Sequence, residues 1–161
     1  MRTHTIVESP IGPLTLVAED GVLAGCHMAV QRHAPDTYGV PDEDGFGEAA
    51  RQLAEYFAGA RTEFDLELRM AGTPFQRRVW AALREIPFGE TESYGELAQR
   101  IGEPGAARAV GLANGRNPVA IIVPCHRVIG AGGSLTGYGG GLPRKQFLLD
   151  LEARVSGRTL I

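Results

Sequence analysis

Cysteine is scarce in this sequence, and its scarcity limits both disulfide and metal chemistry. Only two cysteines occur among 161 residues, Cys26 and Cys125, far apart along the chain. One disulfide could join them, but free thiols are expected in a reducing compartment. A four-ligand zinc site would also need histidines, and His27 and His33 show no ligand spacing to a second cluster. We therefore interpret Cys26 as a core residue on a strand, with a metal site as the less favoured alternative.

Long apolar runs are also missing. No stretch is long enough to span a membrane, and residues 1–9 lack the charged-then-apolar pattern of a signal peptide. We expect a cytoplasmic protein that does not associate with membranes. The 161 residues, 43% of them hydrophobic, can form one domain with a sizeable core or two small subdomains.

Positive charge is slightly outnumbered by negative charge and is unevenly distributed. The formal net charge is −3, which argues mildly against nucleic acid as a partner. Residues 1–72 carry five arginines and twelve acidic residues, whereas residues 73–161 carry eleven basic and seven acidic residues. This asymmetry suggests that only the second half meets phosphates. Two solvated surfaces of different composition are the simpler alternative.

The first seventy residues are typical of an antiparallel meander with one helix. Short apolar runs at 3–7, 14–18 and 22–28 are separated by turn sequences. The polar stretch 31–45 is predicted to be a loop. Helical spacing predicts a helix over 46–58, with its inner face formed by Phe46, Ala49, Ala50, Leu53 and Phe57. Strict alternation over 63–70 predicts a half-buried strand.

The remainder of the chain is predicted to be mostly helical. Thr73 and Gln76 form a capping box around Pro74, and this first helix ends before Gly89. A second helix is predicted from Ser93 to Gly102 and a third from about 104 to 115, so that the pair resembles a helix-turn-helix. A last helix is predicted over 143–155, with Phe147, Leu148, Leu151 and Val155 facing inwards.

The third of these helices has an unusual composition for a DNA-reading helix. Base-reading helices carry long polar side chains, but here Arg108 is the one long polar residue among small ones: Ala106, Ala107, Ala109 and Gly111. Small residues suit close approach to a minor groove without sequence reading. They equally suit tight packing against a neighbouring helix, and Arg108 could be an ordinary solvated arginine.

Cys125 is the candidate nucleophile. It lies in the run Pro124-Cys125-His126-Arg127, and nearby cations favour the reactive thiolate. Adjacent residues on a strand point to opposite faces, so that a Cys125–His126 interaction requires a turn or a bridging water. Glu152, at the edge of the buried stripe of the last helix, is the best candidate for orienting the imidazole. The alternatives are a buried strand cysteine, an ordinary histidine and a surface carboxylate.

The second half resembles the O6-alkylguanine-DNA alkyltransferase family. The matching segments occur in order and at compatible spacing over nearly all of 72–155. They are Gly72-Thr73-Pro74-Phe75-Gln76, Ser93-Tyr94-Gly95, Ala106-Ala107-Arg108-Ala109-Val110-Gly111, Asn117-Pro118, Ile122-Val123-Pro124-Cys125-His126-Arg127-Val128, Tyr138-Gly139-Gly140 and the stretch from Lys145 to Glu152. Pro-Cys-His-Arg in that setting is a highly specific signal. The first half is compatible with the ribonuclease-H-like domain of the family.

The resemblance implies an α+β fold with two domains and a single-use reaction. It implies a ribonuclease-H-like antiparallel sheet plus helix over 1–72 and a helical domain with a winged helix-turn-helix over 73–161. It implies repair of O6-alkylguanine, and of O4-alkylthymine, in double-stranded DNA by irreversible alkyl transfer to Cys125. No cofactor takes part, and the protein is expected to be a monomer off DNA.

The resemblance also assigns roles to individual residues. Cys125 attacks the alkyl carbon after deprotonation through His126, Glu152 and a water. Tyr138 donates a hydrogen bond to the departing purine, and Asn117 props the active-site turn. The small-residue helix enters the minor groove, with Arg108 filling the gap left by the rotated base and Tyr94 pressing on the adjacent phosphate. The substrate pocket is implied at Val123, Val128, Tyr138 and Gly139, with the carbonyls of Val123 and Cys125 reading the guanine amine.

Some family features are missing here. The two-cysteine, two-histidine zinc set found in some members is lacking, so that we predict no metal, and we expect no adaptive-response regulatory domain ahead of the repair unit. Gly139 replaces a serine and Ala120 a proline found in some members, which leaves the alkyl size range of the pocket open.

Three other functions are compatible with parts of this pattern. An alkyltransferase-like protein binds the lesion without repairing it, but that group lacks the reactive cysteine. A helix-turn-helix regulator would not need the Pro-Cys-His-Arg run. A cysteine hydrolase using Cys125 and His126 would turn over repeatedly.

Overall fold

The computed structural model describes residues 1–29, 37–133 and 138–157. The N-terminal part is a four-stranded sheet in the order β3-β2-β1-β4. Its strands are β1 Arg2–Val7, β2 Leu14–Glu19, β3 Val22–Met28 and β4 Val40–Pro41. The predicted meander is confirmed, because β1, β2 and β3 pair antiparallel in succession. Cys26 is fully buried on β3, as expected.

The fourth strand was not predicted. The expected loop over 31–45 begins in residues that lie outside the described ranges, but its later part contains β4, which pairs in parallel with β1. Pro41 has no N–H to donate, and an edge position tolerates this. A two-residue strand is too short to produce an alternating pattern in the sequence.

The first helix, α1 Gly47–Phe57, has the predicted location but a slightly rotated inner face. Its buried residues are Ala49, Gln52, Leu53 and Tyr56. Ala50 and Phe57, both predicted to face inwards, are only half-buried. Tyr56 is completely buried, and it brings a hydroxyl group into the interior.

The predicted strand over 63–70 is wrong as a hydrogen-bonded element. The alternation is real, since Phe64, Leu66, Leu68 and Met70 pack on the core while the residues between them are exposed. However, this segment has only an isolated bridge between Leu68 and Leu23, next to the bond from Arg69 N to Leu23 O of 2.8 Å. Burial of one face therefore produced a strand-like pattern without a strand ladder.

The next helices along the chain follow residue 72, and the first two of them begin at the predicted capping boxes. The elements are α2 Pro74–Leu83, α3 Tyr94–Arg100 and α4 Ala107–Gly115. Both predicted capping boxes are present, Thr73 with Gln76 and Ser93 with Glu96. In α4 the buried residues Val110, Ala113 and Asn114 form the inner face, and this helix packs on both α2 and α3. The expected helix pair is thus formed.

The last helix, α5 Leu142–Val155, presents a different face from the one predicted. Leu148 and Leu151 are buried as expected, but Phe147 and Val155 are exposed at 38% and 36%. The buried face also contains Lys145 and Glu152. Glu152, placed at the edge of this stripe from the sequence, lies fully within it, whereas apolar spacing gives no signal for the buried Lys145.

The two halves of the sequence share one hydrophobic core. The apolar stretch 119–123 is buried. The chain at its start lies along the edge strand β3 and forms two backbone hydrogen bonds with Cys26: Cys26 N donates to Pro118 O at 3.0 Å, and Ala120 N donates to Cys26 O at 3.1 Å. Two short strands, β5 Glu92–Ser93 and β6 Val128–Ile129, pair in parallel beyond it. The result is an α+β fold in which the sheet supports the segment that leads to Cys125.

No helix within residues 1–29, 37–133 and 138–157 has both the length and the apolar character needed to cross a membrane.

Candidate active site

Cys125 lies on a turn rather than on a strand. Residues Cys125–Arg127 form a single turn of 3₁₀ helix after Pro124, which excludes the alternative of a buried strand cysteine. The side chain is 6% exposed. Burial raises the pKa of the Cys125 thiol, while the Asn117 amide and the charge of Lys145 oppose this shift. The thiol is therefore neutral at rest and needs a base to remove its proton.

Asn117 braces the chain that enters this turn. Its side-chain Nδ2 donates to Val123 O at 2.8 Å, and its Oδ1 accepts from Val119 N at 3.0 Å. Between these points Ile121 adopts the left-handed region with φ of 73°, which is rare for a β-branched residue. The two side-chain bonds from Asn117 hold this strained loop closed, in keeping with the propping role implied for it.

The two carbonyls expected to face a guanine amine already accept hydrogen bonds within the protein. Val123 O accepts from Asn117 Nδ2 and from Cys125 N, each at 2.8 Å. Cys125 O accepts from Asn114 Nδ2 at 3.3 Å and from Val128 N. A carbonyl has two lone pairs, so an incoming amine must share or displace one of these bonds.

Glu152 is the most heavily bonded side chain of the site, and it is 1% exposed. Oε1 accepts from Arg127 Nε at 2.8 Å and from Gly89 N at 3.2 Å. Oε2 accepts from His126 Nε2 at 2.6 Å, from Tyr56 Oη at 2.6 Å and from an Arg127 terminal nitrogen at 3.1 Å. The surface-carboxylate alternative is thereby excluded.

The charges of this cluster set the protonation of His126. Burial opposes ionisation of Glu152, but His126 and Arg127 bind the carboxylate and hold its pKa well below the ordinary value of 4.5. Burial also lowers the pKa of His126 below 6.5, against the attraction of Glu152. The imidazole is therefore neutral at physiological pH. Its Nε2–H is directed to Glu152, which leaves Nδ1 as the nitrogen able to accept a proton.

His126 Nδ1 is available for this purpose. It is buried and has no hydrogen-bond partner within the described part of the chain. A turn at 125–127 places this histidine directly after the thiol in the same tight element. Glu152 is placed to stabilise an imidazolium formed at His126.

Tyr138 and its neighbours form the other side of the site. The Tyr138 hydroxyl is buried beside the Cys125 thiol, and among residues 1–29, 37–133 and 138–157 it has no hydrogen-bond partner other than that sulfur. Burial, and then the negative charge of a Cys125 thiolate, raise the pKa of Tyr138 well above its ordinary value. The phenol therefore stays protonated and can donate a hydrogen bond. Of the other residues expected to line the substrate pocket, Val123 and Val128 are completely buried and Gly139 is half-buried.

Three groups of the site were not assigned a role from the sequence. Lys145 is completely buried, and its Nζ donates to Val128 O at 2.6 Å. Arg127 binds Glu152 and also donates to Ile86 O at 2.7 Å. Tyr56 reaches Glu152 from α1. Lys145 and Tyr56 both occupy the inner spacing of their helices, so a search that included polar residues on helix stripes could have found them.

The residues expected to meet DNA lie on a separate, outer face. On α4, Arg108 and Ala109 are exposed, Ala107 is half-buried, and Ala106 is the half-buried residue before the helix. Gly111 faces the Tyr94 ring, since a Cβ at Gly111 would lie 3.6 Å from it. Gly111 thus serves packing, whereas Ala109 leaves the helix surface open.

Leu112 belongs to the same exposed face. It is 69% exposed and lies one helical turn after Arg108. No signal for it was noted in the sequence because leucines on helices are usually buried.

Metal binding receives no support from side-chain clustering. Over the described ranges, no group of three or more His, Cys, Asp or Glu side chains is arranged to hold a metal ion. His33 lies outside those ranges.

Comparisons with known proteins cover nearly the whole chain. The ribonuclease-like domain of 6-O-methylguanine DNA methyltransferase matches residues 2–70, and the DNA binding domain of the same family matches residues 74–154. A methylated-DNA–protein-cysteine methyltransferase of Mycobacterium bovis is 62% identical over 153 residues, covering 94% of this chain and 93% of that protein. One from Methanosarcina acetivorans is 56% identical over 152 residues, covering 92% and 97%.

A solved structure shows the same likeness in three dimensions. The crystal structure of Mycobacterium tuberculosis OGT in complex with DNA has a TM-score of 0.92 and 59% identity to this chain. The match covers 95% of this chain and 94% of the other.

Proposed function

The chain belongs to the 6-O-methylguanine DNA methyltransferase family, and from that premise we propose that it repairs O6-alkylguanine in DNA by transferring the alkyl group to its own Cys125. The observation that carries this proposal is the buried Cys125–His126 turn, in which a neutral imidazole is held by an ionised Glu152. A nucleophile with a raised pKa needs a base of this kind beside it.

In the proposed reaction the thiol proton passes to His126 Nδ1, directly or through a water. Sulfur attacks the alkyl carbon, a sulfur–carbon bond forms, and the carbon–oxygen bond breaks with its electron pair remaining on the purine. Tyr138 donates a hydrogen bond to the purine, which takes up one proton, relayed through solvent and balanced by the thiol proton released to His126, and leaves as neutral guanine. The thioether is stable, so that each molecule reacts once.

Double-stranded DNA is the proposed partner, and α4 is the proposed contact. Its exposed face combines one cation, Arg108, with small or apolar residues, Ala109 and Leu112. Such a face suits a minor groove, where apolar wedges and arginines are common. The lesion would be rotated out of the stack, with Arg108 in the vacated space and Tyr94 against the adjacent phosphate. A homologue, OGT of Mycobacterium tuberculosis, was crystallised with DNA.

Several finer expectations belong to the same proposal. The chain would act in the cytoplasm, because the reaction needs Cys125 as a free thiol. It would be a monomer off DNA. The chain would divide between residues 72 and 73 into an N-terminal domain that supports the site and a C-terminal domain that carries Cys125. Activity on O4-alkylthymine would use the same nucleophile.

The proposal is tested by mass spectrometry. The protein is mixed with duplex DNA carrying O6-methylguanine, and the intact mass and a peptide digest are measured. We expect one added methyl group on the peptide containing Cys125. Cys125→Ala should gain none, and Cys26→Ala, the matched cysteine control, should be methylated normally.

The outcome also separates the rival functions. Wild-type protein that binds the lesion but stays unmodified would be a lesion-binding protein without repair. A protein that stays unmodified and does not bind the lesion preferentially would be a regulator or an unrelated enzyme. Repeated turnover without a gain in mass would indicate a hydrolase.

A further inference from the structure

The Tyr56 hydroxyl is a buried polar group that has no role in the reaction proposed above. Tyr56 lies on α1 and is completely buried. Its Oη donates to Glu152 Oε2 at 2.6 Å, across 96 residues of sequence. The contact joins the N-terminal half of the chain to the carboxylate that holds His126.

The ring of Tyr56 is held in place by other aromatic rings. Phe57 and Phe88 contact it edge-on, with centroid separations of 5.3 and 6.0 Å, and Phe64 lies at 5.5 Å in a tilted arrangement. A tyrosine confined in this way has little rotational freedom. Its hydroxyl is therefore a fixed donor, not an adaptable one.

The oxygen that Tyr56 binds is the one that binds His126. Glu152 Oε2 accepts from Tyr56 and His126 at 2.6 Å each and from Arg127 at 3.1 Å. Arg127 alone would hold the carboxylate in its guanidinium plane, and Tyr56 supplies a donor from a different element of the fold. Together with the Gly89 N–H at Oε1, donors from three separate segments fix both the rotamer and the tilt of the carboxylate.

We propose that Tyr56 is a positioning residue for alkyl transfer, which fixes the Glu152 carboxylate so that the imidazole of His126 keeps its Nδ1 free for the thiol proton. This inference rests on the function proposed above. It makes α1, from the half without the nucleophile, part of the reacting machinery.

Tyr56 itself does not transfer a proton. Burial, followed by the negative charge of Glu152, raises the pKa of Tyr56 far above its ordinary value. The phenol stays protonated, and its O–H dipole points its positive end at Glu152 and towards His126. That dipole disfavours a positive imidazolium, so removing it should raise the pKa of His126.

The surrounding charges define what else acts on this pair. Glu152 faces Tyr56 from α1, the backbone N–H of Gly89, and His126 and Arg127 from the 125–127 turn. His126 is influenced by Glu152, by Arg127 and by Lys145 of α5. Tyr56→Phe changes one of these groups and leaves the other charges in place.

The test compares Tyr56→Phe with wild type and with Tyr38→Phe, a matched loss of one hydroxyl from a residue outside the set of hydrogen-bond donors to Glu152. Tyr38 lies between His4 and His27 beside the sheet. The first readout is the rate of Cys125 alkylation by free O6-benzylguanine as a function of pH. The second is the titration of His126, followed by NMR of protein labelled at histidine nitrogens. Circular dichroism verifies that all three proteins are folded.

We expect Tyr56→Phe to react about tenfold more slowly, by analogy with the loss seen when a hydrogen-bond partner that orients a metal-bound histidine is removed. We also expect that in Tyr56→Phe the acidic side of the rate–pH profile and the pKa of His126 measured by NMR both move to higher pH. In Tyr38→Phe both should equal the wild-type values. An unchanged His126 titration in folded Tyr56→Phe would overturn the proposal and reduce Tyr56 to a structural fastener.

The two proposals fail in different ways. If wild-type protein takes no alkyl group, the proposed function is wrong. The His126 titration still decides then whether Tyr56 controls the imidazole, because it needs no substrate.

Discussion

Replacing Glu152 with glutamine would test the centre of the site, because it removes one charge and keeps the shape. The carboxylate accepts five hydrogen bonds, two at Oε1 and three at Oε2. A glutamine amide keeps one acceptor oxygen, and its NH₂ group must face donors on the other side. If the oxygen stays with Arg127 Nε and Gly89 N, the NH₂ group faces His126 Nε2.

Two separate losses follow from this change. Arg127 is 6% exposed and would become an unpaired buried cation, and breaking a buried pair in this way costs roughly 3–5 kcal/mol of the free energy of unfolding. The NH₂ group would also force His126 into the tautomer with Nε2 unprotonated and Nδ1 protonated. Nδ1 could then no longer accept the thiol proton, and losing a general base slows a reaction by about 10²- to 10⁴-fold.

The assay measures urea unfolding and single-turnover methyl transfer on the same preparations. A double variant, Arg127→Met with Glu152→Gln, is the control: it removes the stranded cation and should recover most of the stability while staying slow. Wild-type transfer rates in folded Glu152→Gln would refute the reasoning, since they would show that the carboxylate does not control the imidazole.

Three further predictions concern other parts of the molecule. Asn117→Ala should lower the free energy of unfolding by about 1–3 kcal/mol in urea melts, because the buried Val119 N–H loses its partner while Val123 O keeps the bond from Cys125 N; a loss below 0.5 kcal/mol would contradict its bracing role. Arg108→Ala should slow repair of duplex DNA far more than reaction with free O6-benzylguanine, with the exposed Arg154→Ala of α5 as control, and equal losses on both substrates would remove Arg108 from base rotation. Burial lowers the pKa of His27 to about 4 and also lowers that of His126, so the unfolded chain binds more protons and stability should fall as pH drops below about 6.5. His27→Gln should weaken this pH dependence in thermal melts, and identical slopes would contradict it.

The features that could be predicted from the sequence are those with local causes. The capping boxes at Thr73 and Ser93 formed as predicted, because a cap depends on residues three positions apart. The meander formed because apolar alternation and turn residues act within a few residues of each other. The family resemblance was also readable, since it resides in contiguous runs around Cys125.

The predictions from sequence were wrong where the burial of a segment does not reveal its hydrogen-bond partners. Residues 63–70 bury one face yet lack a strand ladder, because alternation reports a half-buried surface and not the presence of a pairing partner. On α5 the prediction chose apolar Phe147 and Val155, whereas the structure buries Lys145 and Glu152. Apolar spacing cannot detect an inner face whose polar groups are satisfied by distant residues.

The sequence by itself identified Cys125 as the candidate nucleophile, the histidine beside it and the caps that begin α2 and α3, because each depends on neighbours along the chain. Only the tertiary structure decided that Glu152 is ionised and that Tyr56 and Arg127 hold it, because those donors come from residues 96 and 25 positions away. Whether His126 presents a free Nδ1 depends on that distant network. The physical reason is that burial and charge pairing, which set protonation, exist only once separate segments have packed together.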